Sequence, residues 1–331
     1  MRKSGEKPWL VTGCAGFIGS HLLEALLKQG ETVIGLDNLS SGSLSNIKKA
    51  IISAGDDAKS RFLFAEGDIN DVRLLKKLCR GVRFVLHHAA QVSVPESIKN
   101  PSLSARVNVE GLINLLRAAQ SAGVERVVYA SSSAVYGSLE GDFHQEQMTG
   151  PPVSPYAAGK IAAESFAQAM SVADGGTFIG LRYFNVFGPR QNPAGPYASV
   201  IPRWISRLKS GKKAQVFGDS GITRDFVYVG DVVKANLLAA HTAGLASHEI
   251  FNIAYGQSVS LRELFDCIVA EFEKAGVKIK EKKFTLDLPR QGDIMHSAAD
   301  ISKARRILGY SPQTSLAEGI GQTIRRQFKI K

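Results

Sequence analysis

Tyr156 and Lys160 are the two residues whose types and spacing most directly indicate chemistry. They stand four positions apart in a stretch with helical character, so an α-helix would place both on one face. A phenol with a pKa of about 10 is a weak base at neutral pH, but a nearby ammonium group stabilises the phenolate, and such a pair can take a proton from a sugar hydroxyl. Ser154 as an N-cap and Pro155 at the first helical position are equally typical of an ordinary helix start with a solvated pair. The pair alone leaves both interpretations open.

The composition indicates a folded chain. Its 331 residues, of which 44% are hydrophobic and 21% charged, can form one large core or two smaller ones. The basic N-terminus lacks the apolar run of a signal peptide, and no stretch predicts a membrane span, so we expect a cytoplasmic protein without a membrane partner. Three scattered cysteines, Cys14, Cys79 and Cys267, do not indicate a disulfide framework, and no Cys/His spacing predicts a metal site.

The net charge of +11 raises the question of nucleic-acid binding, because basic chains attract phosphate backbones. The densest basic runs, 209–213, 278–283 and 325–331, lie in separate segments, and Phe328 is the only aromatic residue within them. A diffuse charge of this kind fits attraction for a small anionic substrate better. We therefore expect no nucleic-acid partner.

Strand and helix patterns alternate through the first half of the chain. Apolar runs such as Trp9-Leu10-Val11 and Phe84-Val85-Leu86 are separated by stretches with helical periodicity. Near-continuous apolar strands in this order predict an α/β fold with a doubly wound parallel sheet of the Rossmann type. After about Leu181 the pattern becomes irregular. We predict a Rossmann domain at 1–180 and a smaller α/β substrate domain at 181–331, with some of its segments returning to the first sheet.

A glycine-rich turn follows the first predicted strand, and its residues are Gly13, Gly16, Phe17, Ile18 and Gly19. Glycines permit a tight turn and a close approach to a pyrophosphate, while the helix N-terminus favours negative charge. Asp37 ends the second strand, where a carboxylate would bind the adenosine ribose and repel a 2′-phosphate. The pattern therefore favours NAD over NADP. The alternative is a helix-capping turn followed by a surface aspartate.

Further motifs occur in an order that resembles the extended short-chain dehydrogenase/reductase family, particularly its nucleotide-sugar 4-epimerases. The segments that carry the resemblance, besides the glycine turn and the Tyr156/Lys160 pair, are Gly67-Asp68-Ile69, His88-Ala89-Ala90, Asn108, Ser131 to Gly137 and Arg182 to Pro189. The resemblance implies that the cofactor is NAD and that Tyr156 and Lys160 also contact it. The remaining NAD contacts that it implies are Asn38, Asp68, Ile69, Ala89, Ala90 and Asn108. From the residues alone, Asp68 is equally a turn residue and Asn108 a helix-surface amide.

The resemblance makes Ser132, Tyr156 and Lys160 the catalytic residues, with Ser133 as a second hydrogen-bonding group for the substrate. A hydroxyl both donates and accepts, so Ser132 can orient or relay a proton between the substrate and Tyr156. Family dehydratases generally have Asp-Glu where Ser133-Ala134 stands, and sugar-acid decarboxylases often have Glu at the second position. The segment 92–96 lacks the arginine expected of uronate epimerases. These differences disfavour all three activities, the last least strongly.

The second half contains residues that match the family's nucleotide-sugar binding positions. Arginine guanidinium groups suit a diphosphate because each offers several donors in a fixed fork. The substrate residues implied in this half are Asn185, Val216, Phe217, Arg224, Arg290, Asp293 and Ser297. Ser297 falls where related epimerases carry a gatekeeper, and a small residue there leaves room for an N-acetyl group. Taken singly, these residues are equally surface arginines, a core phenylalanine and loop positions.

The sequence thus predicts an NAD-dependent isomerase that epimerises carbon 4 of a UDP-hexose through a 4-keto intermediate. The favoured substrate is UDP-N-acetylglucosamine/UDP-N-acetylgalactosamine, with UDP-glucose/UDP-galactose as an addition. The alternatives are a UDP-glucuronate epimerase or other nucleotide-sugar enzyme, and a non-catalytic dinucleotide sensor on the same fold. We expect a homodimer formed through the helical stretches 104–122 and 156–170.

Overall fold

The computed structural model of the chain describes residues 7–139, 141, 143–194, 198–288, 296–328 and 330. Contacts divide the chain into two compact units. The first contains the described residues up to Gly137, together with Thr149–Arg182 and Val233–Phe251. The second contains Ser138–Met148, Tyr183–Val232 and the described residues from Asn252 onward. Neither unit is a continuous stretch of sequence.

A seven-stranded sheet forms the centre of the first unit, with the strand order β10-β6-β5-β4-β1-β2-β3. Its strands are β1 (Trp9–Thr12), β2 (Val33–Asp37), β3 (Phe62–Glu66), β4 (Phe84–His87), β5 (Arg126–Ser132), β6 (Phe178–Tyr183) and β10 (His248–Ile253). Strand β1 pairs in parallel with both β2 and β4, which places Thr12 opposite Leu36 and His87. Every residue of β1, β4 and β6 is buried, as expected of strands that helices cover on both faces. The predicted doubly wound fold is confirmed.

Twelve α-helices accompany the strands in the described part of the chain. They are α1 (Phe17–Lys28), α2 (Leu44–Ala54), α3 (Val72–Leu78), α4 (Val94–Lys99), α5 (Pro101–Ala105), α6 (Gly111–Ser121), α7 (Pro155–Asp174), α8 (Val200–Lys209), α9 (Val229–His241), α10 (Leu261–Lys274), α11 (Ser302–Leu308) and α12 (Leu316–Phe328). No helix among the described residues has the length and apolar character needed to cross a bilayer. Nor do the described residues bring together three or more His, Cys, Asp or Glu side chains that could hold a metal ion.

The predicted helical stretch 104–122 is interrupted. Residues Arg106–Glu110 form a wider π-helical turn between α5 and α6. Such turns are frequent at functional sites. Asn108 lies inside this turn and is buried.

The second unit contains two small sheets. Their strands are β7 (Asn185–Phe187), β8 (Ala214–Phe217), β9 (Thr223–Tyr228), β11 (Ser258–Ser260) and β12 (Phe284–Asp287), in the orders β11-β9-β7 and β12-β8. The buried Asp225 carboxylate accepts hydrogen bonds from the Tyr255 and Gly256 amides at 2.8 and 3.0 Å. This carboxylate holds the chain that follows β10 against β9.

Basic runs that are separate in the sequence meet in this second unit. The side chain of Lys280 lies beside Gly211, within the run that begins at Lys209. The Lys209 ammonium group lies 5.3 Å from the ring centroid of Phe328, at the end of α12. Pairing of β8 with β12 and helix packing thus bring parts of the three basic segments close together.

Candidate active site

The glycine turn lies where β1 meets α1. Gly13 has a φ of +69°, and a Cβ atom there would lie 2.6 Å from the carbonyl carbon of His88. A Cβ on Gly19 would lie 2.0 Å from the Gly13 carbonyl oxygen, so both positions require glycine. Helix α1 begins at Phe17, and its cap residue Gly16 has no side chain to satisfy the first amides. Those N–H groups and the helix dipole are thus available to an anionic ligand.

Asp37 closes the neighbouring strand and faces the same turn. Its carboxylate accepts a hydrogen bond from the Ala15 amide at 2.9 Å and one from the Leu39 amide at 2.8 Å. An ionised carboxylate has about four acceptor sites, so two remain for ribose hydroxyls. The structure therefore places a charged acceptor beside the glycine turn, as the sequence predicts.

The predicted adenine contacts form a second small network. The Asn38 side-chain amide donates to the Asp68 carboxylate at 2.9 Å. Hydrogen bonds from the Asn70 backbone amide, and then from the Asn38 and Asn70 side chains, lower the pKa of Asp68, although its partial burial raises it. The Ile69 side chain is buried and lies under Gly111, where a Cβ atom would come within 2.8 Å of it. Asp68 thus stays ionised at the end of β3.

Two side chains fix the loop that follows β4. Thr12 Oγ1 accepts hydrogen bonds from the His88 and Ala89 amides at 3.2 Å each and lies 2.7 Å from His87 Nδ1. The Asn108 side chain holds the Gln91 backbone at two points, accepting from its N–H at 2.9 Å and donating to its carbonyl at 2.8 Å. Asn108 therefore shapes the loop rather than facing a ligand freely.

A small pocket opens next to this loop. Four of its lining residues, Ala89, Ala90, Asn108 and Lys160, are residues that the sequence predicts at the cofactor site. Sequence reasoning missed His87, which also lines it. Burial lowers the pKa of His87 to about 3, with the Lys160 charge as a second cause, so its imidazole is neutral at physiological pH.

Ser132, Tyr156 and Lys160 meet at the end of β5. The Lys160 ammonium group is buried, donates to the Ala130 carbonyl at 2.7 Å and lies 5.8 Å from the ring centroid of Tyr156. The Ser132 hydroxyl accepts from the Ala134 amide at 3.1 Å and is hydrogen-bonded to the Tyr156 phenol. Helix α7 positions the second and third of these residues one turn apart. Ser133 begins the 3₁₀ turn Ser133–Tyr136 directly after Ser132.

The electrostatics of the pair differ from the sequence-based expectation. Burial raises the pKa of Tyr156, and the hydrogen bond with Ser132 lowers it by a smaller amount. Burial lowers the pKa of Lys160 to about 8, against the opposing effect of Glu164. The predicted lowering of the Tyr156 pKa by Lys160 is wrong for the protein by itself, because the ammonium group points to Ala130 and the phenol is desolvated.

Other functional neighbours were missed because no local motif marks them. Ser97 is buried on α4, and its hydroxyl accepts the Tyr156 backbone N–H at 3.1 Å. Glu164 follows Lys160 by one helical turn and pairs with Arg182 of β6 at 2.8 Å. Its spacing from Tyr156 and Lys160, repeated every four residues, was the available signal for Glu164.

Those predicted substrate residues of the second unit that the structure describes lie on and beside its small sheets. The Asn185 side-chain amide donates to the Asp225 carbonyl at 3.1 Å, and Arg224 Nη1 donates to the Thr223 carbonyl at 2.9 Å. The guanidinium of Arg203 lies 5.0 Å from the Phe217 ring centroid and covers one of its faces. The Val216 side chain is buried, so a substrate contact there would involve its backbone.

Ser297 is 9% exposed and follows His296, whose Nδ1 atom lies 3.1 Å from the Thr223 hydroxyl. This contact brings the segment that contains Ser297 next to the strand that carries Arg224. Arg290 and Asp293, the other predicted contacts, lie outside the described residues.

Comparisons with known proteins show what the chain is similar to. The profile of the NAD dependent epimerase/dehydratase family matches residues 9–254. A "UDP-glucose 4-epimerase" of Mycolicibacterium smegmatis is 39% identical over 317 residues, which cover 95% of this chain and 96% of that protein. "UDP-glucuronate 4-epimerase 4" of Arabidopsis thaliana is 36% identical over 96% of this chain and 74% of its own length.

Among solved structures, one similar chain is the UDP-N-acetylglucosamine 4-epimerase from Methanobrevibacter ruminantium M1 in complex with UDP-N-acetylmuramic acid. It superimposes with a TM-score of 0.89 at 33% identity and covers 98% of this chain and 99% of its own. The similarity therefore extends over both compact units.

Proposed function

The chain belongs to the NAD dependent epimerase/dehydratase family, and on this premise we propose that it is an isomerase that inverts carbon 4 of a UDP-hexose. The observation that carries the proposal is the meeting of Ser132, Tyr156 and Lys160 at the end of β5, beside the pocket that the loop after β4 forms. An intact hydroxyl, phenol and ammonium group disfavour a purely sensing role.

The residues present fit NAD. The uncapped N-terminus of α1 offers amides to a pyrophosphate, and Asp37 offers free acceptor sites to a ribose diol while repelling a 2′-phosphate. Gly13, Gly16, Phe17, Ile18 and Gly19 would hold the pyrophosphate side. The resemblance assigns the adenine end to Asn38, Asp68 and Ile69, and the nicotinamide end to Ala89, Ala90 and Asn108 with Tyr156 and Lys160.

The mechanism follows from the protein's own groups. Bound NAD would supply a hydride acceptor for carbon 4. In its phenolate form Tyr156 takes the proton of the 4-hydroxyl, and Ser132 orients that hydroxyl through the hydrogen bond that it shares with the phenol. Lys160 holds the Ala130 carbonyl and thereby the end of β5. The resemblance implies that its ammonium group would also bind the cofactor, and this contact requires the charged form. Because inversion at carbon 4 has no net redox change, bound NAD would not be consumed.

For the hexose, we infer UDP-N-acetylglucosamine and its galacto epimer, with UDP-glucose and UDP-galactose as further substrates. Ser297 supports this choice, because its side chain is much smaller than the tyrosine that would narrow the pocket in related epimerases. The nucleotide would be held by Asn185, Val216, Phe217, Arg224, Arg290 and Asp293. The similarity to the Methanobrevibacter enzyme supports the same substrate class.

UDP-glucuronate is the second candidate substrate. The similarity to the Arabidopsis epimerase favours it, whereas the absence of arginine in the segment 92–96 argues against it. We also infer a homodimer through α6 and α7, supported by the 45% exposed Phe166 on α7. The expected cytoplasmic location stays a prediction.

The test of the reaction is direct. Purified protein is incubated separately with UDP-N-acetylglucosamine, UDP-glucose and UDP-glucuronate, with and without NAD, and the products are resolved by anion-exchange chromatography. We expect conversion of the first to its galacto epimer, while conversion of UDP-glucuronate alone would replace the substrate proposal. No conversion of any of the three would favour a different sugar nucleotide or a binding role.

Tyr156→Phe tests the catalytic assignment. It should keep UDP-sugar binding, measured by calorimetry, but lower kcat by at least about 100-fold, the lower range for a lost general base. Tyr310→Phe is the matched control, because it removes a buried phenol that only donates to the Ala254 carbonyl at 2.9 Å. Near-normal turnover of Tyr156→Phe would refute the assignment.

Ser297→Tyr tests the substrate assignment. The added ring should lower kcat/KM for the N-acetylated sugar by about 10–200-fold, the range for a group that no longer fits its pocket, and affect UDP-glucose far less. Equal losses on both sugars would show that Ser297 does not select the substrate.

A further inference from the structure

A buried network lies directly behind the catalytic lysine. Glu164 and Arg182 are both less than 9% exposed, and their side chains form two hydrogen bonds, from Arg182 Nε at 3.0 Å and from Nη2 at 2.8 Å. The same Glu164 oxygen that accepts from Nε also accepts from the Ser131 hydroxyl. Arg182 in turn lies 4.9 Å from the Tyr136 ring centroid. The carboxylate is therefore fixed by two strands of the sheet.

The position of Glu164 links this network to the reacting groups. Tyr156, Lys160 and Glu164 recur every four residues on α7, so they lie along one side of the helix. Ser131, which Glu164 holds, stands between Ala130, the acceptor of the Lys160 ammonium group, and Ser132, the hydroxyl bonded to Tyr156. One carboxylate thus reaches the backbone segment that both catalytic side chains touch.

We propose that Glu164 is a positioning residue of the reaction: its buried carboxylate, one helical turn from Lys160, is the counter-charge of that ammonium group, and its bond to Ser131 fixes the strand end that carries Ser132. The proposal rests on the epimerase function proposed above, because only there does Lys160 have a catalytic task. An ordinary buried ion pair between Glu164 and Arg182 is the competing explanation, since such pairs also occur without any catalytic role.

The charges around Lys160 support the proposal. On β4 and its following loop, His87 and His88 are neutral, because burial lowers the pKa of each to about 3. Tyr129 on β5 is neutral as well, since burial raises its pKa. Glu164 is the group whose charge raises the pKa of Lys160 against burial, which by itself would favour a neutral amine.

The first measurement is the titration of Lys160 in the protein alone, by NMR of lysine labelled at Cε, with the Lys160→Met spectrum identifying the resonance. The wild-type midpoint is expected near pH 8. Glu164→Gln should lower it by about one unit or more, because a lost neighbouring opposite charge typically shifts a pKa by that amount. Ser131→Ala, which removes the hydrogen bond but keeps the charge, should leave the midpoint unchanged.

The second measurement is the pH profile of kcat for Glu164→Gln. With a midpoint near 7 rather than 8, the protonated fraction of Lys160 falls about fivefold at pH 8 but by only about a tenth at pH 6. The loss of turnover should therefore grow with pH. A purely structural defect would lower kcat by the same factor throughout the range.

The double variant Glu164→Gln/Arg182→Gln separates the two explanations and serves if the single variant does not fold. In Glu164→Gln the buried Arg182 charge has no carboxylate partner. The double variant also removes that charge, so its free energy of unfolding should be higher than that of Glu164→Gln. The Lys160 midpoint should stay low. An unchanged midpoint in Glu164→Gln, or restoration of both midpoint and stability in the double variant, would overturn the proposal. Because the titration needs no substrate, its outcome is independent of whether the epimerase assignment holds.

Discussion

Ser97→Ala should damage the catalytic tyrosine without touching its side chain. The Ser97 hydroxyl accepts the Tyr156 N–H at 3.1 Å and donates to the Val94 carbonyl at 2.6 Å, and the residue is completely buried. Tyr156 is the second residue of α7, and the first four N–H groups of a helix have no acceptor within the helix. The Ser154 hydroxyl accepts the Ala157 N–H at 3.1 Å, so it is not the acceptor for Tyr156. The acceptor for the Tyr156 N–H is the Ser97 hydroxyl on α4.

The magnitude follows from that unsatisfied donor. A buried N–H left without an acceptor costs about 1–3 kcal/mol, so Ser97→Ala should lower the free energy of unfolding by that amount in urea titrations. If about 1.4 kcal/mol of positioning is also lost in the transition state, kcat falls about tenfold. We expect KM to stay within about twofold, because Ser97 contacts the Tyr156 backbone and not the nucleotide.

Ser165→Ala is the matched control. It is also a serine-to-alanine change, but it lies on α7 at an exposed position, where the hydroxyl donates to the Ile161 carbonyl at 3.0 Å. The free energy of unfolding should therefore change by less than about 0.5 kcal/mol. The reasoning is refuted if Ser97→Ala has wild-type kcat and stability. It is also refuted if KM rises while kcat is unchanged, which would assign Ser97 to substrate binding.

Two further predictions concern the cofactor and the assembly. Asp37→Asn should raise the Kd for NAD by about 10–100-fold, since a hydrogen bond to a charged group contributes about 1.5–3 kcal/mol, while the Kd for NADP should change less; calorimetry with both nucleotides decides, and equal effects on both would exclude a ribose contact. Phe166→Asp should convert the proposed dimer to monomers in sedimentation experiments, because it places a charge at the centre of an apolar contact; a monomeric wild type or a dimeric variant would contradict the interface.

The fold could be predicted because short stretches of sequence determine its strands and helices. Strands β1 to β5 of the first sheet each contain an apolar run, as in Trp9–Thr12, and stretches with a helical period separate them. The glycine turn was likewise readable, because backbone geometry requires glycine at Gly13 and Gly19. Asp37 was readable from its place at the end of the second strand, and the Tyr156/Lys160 pair from its helical spacing.

Long-range contacts could not be read in the same way. Ser97 bonds a residue 59 positions away and leaves no local pattern. The spacing of Glu164 on α7 was readable, but its bond to Arg182 on β6 was not. The pKa of Tyr156 depends on desolvation, which exists only after packing. The meeting of the basic runs near Phe328 has the same origin.

The discontinuity of the first unit has a consequence for synthesis. Strand β6 ends at Tyr183, but its neighbour β10 begins only at His248, after most of the intervening chain has entered the second unit. A nascent chain therefore leaves the ribosome with the edge of β6 unpaired, and such edges promote association between chains. Fragments that end near residue 182 carry the same bare edge permanently, so the Rossmann unit should be produced together with the segment 233–253 if it is to remain monodisperse.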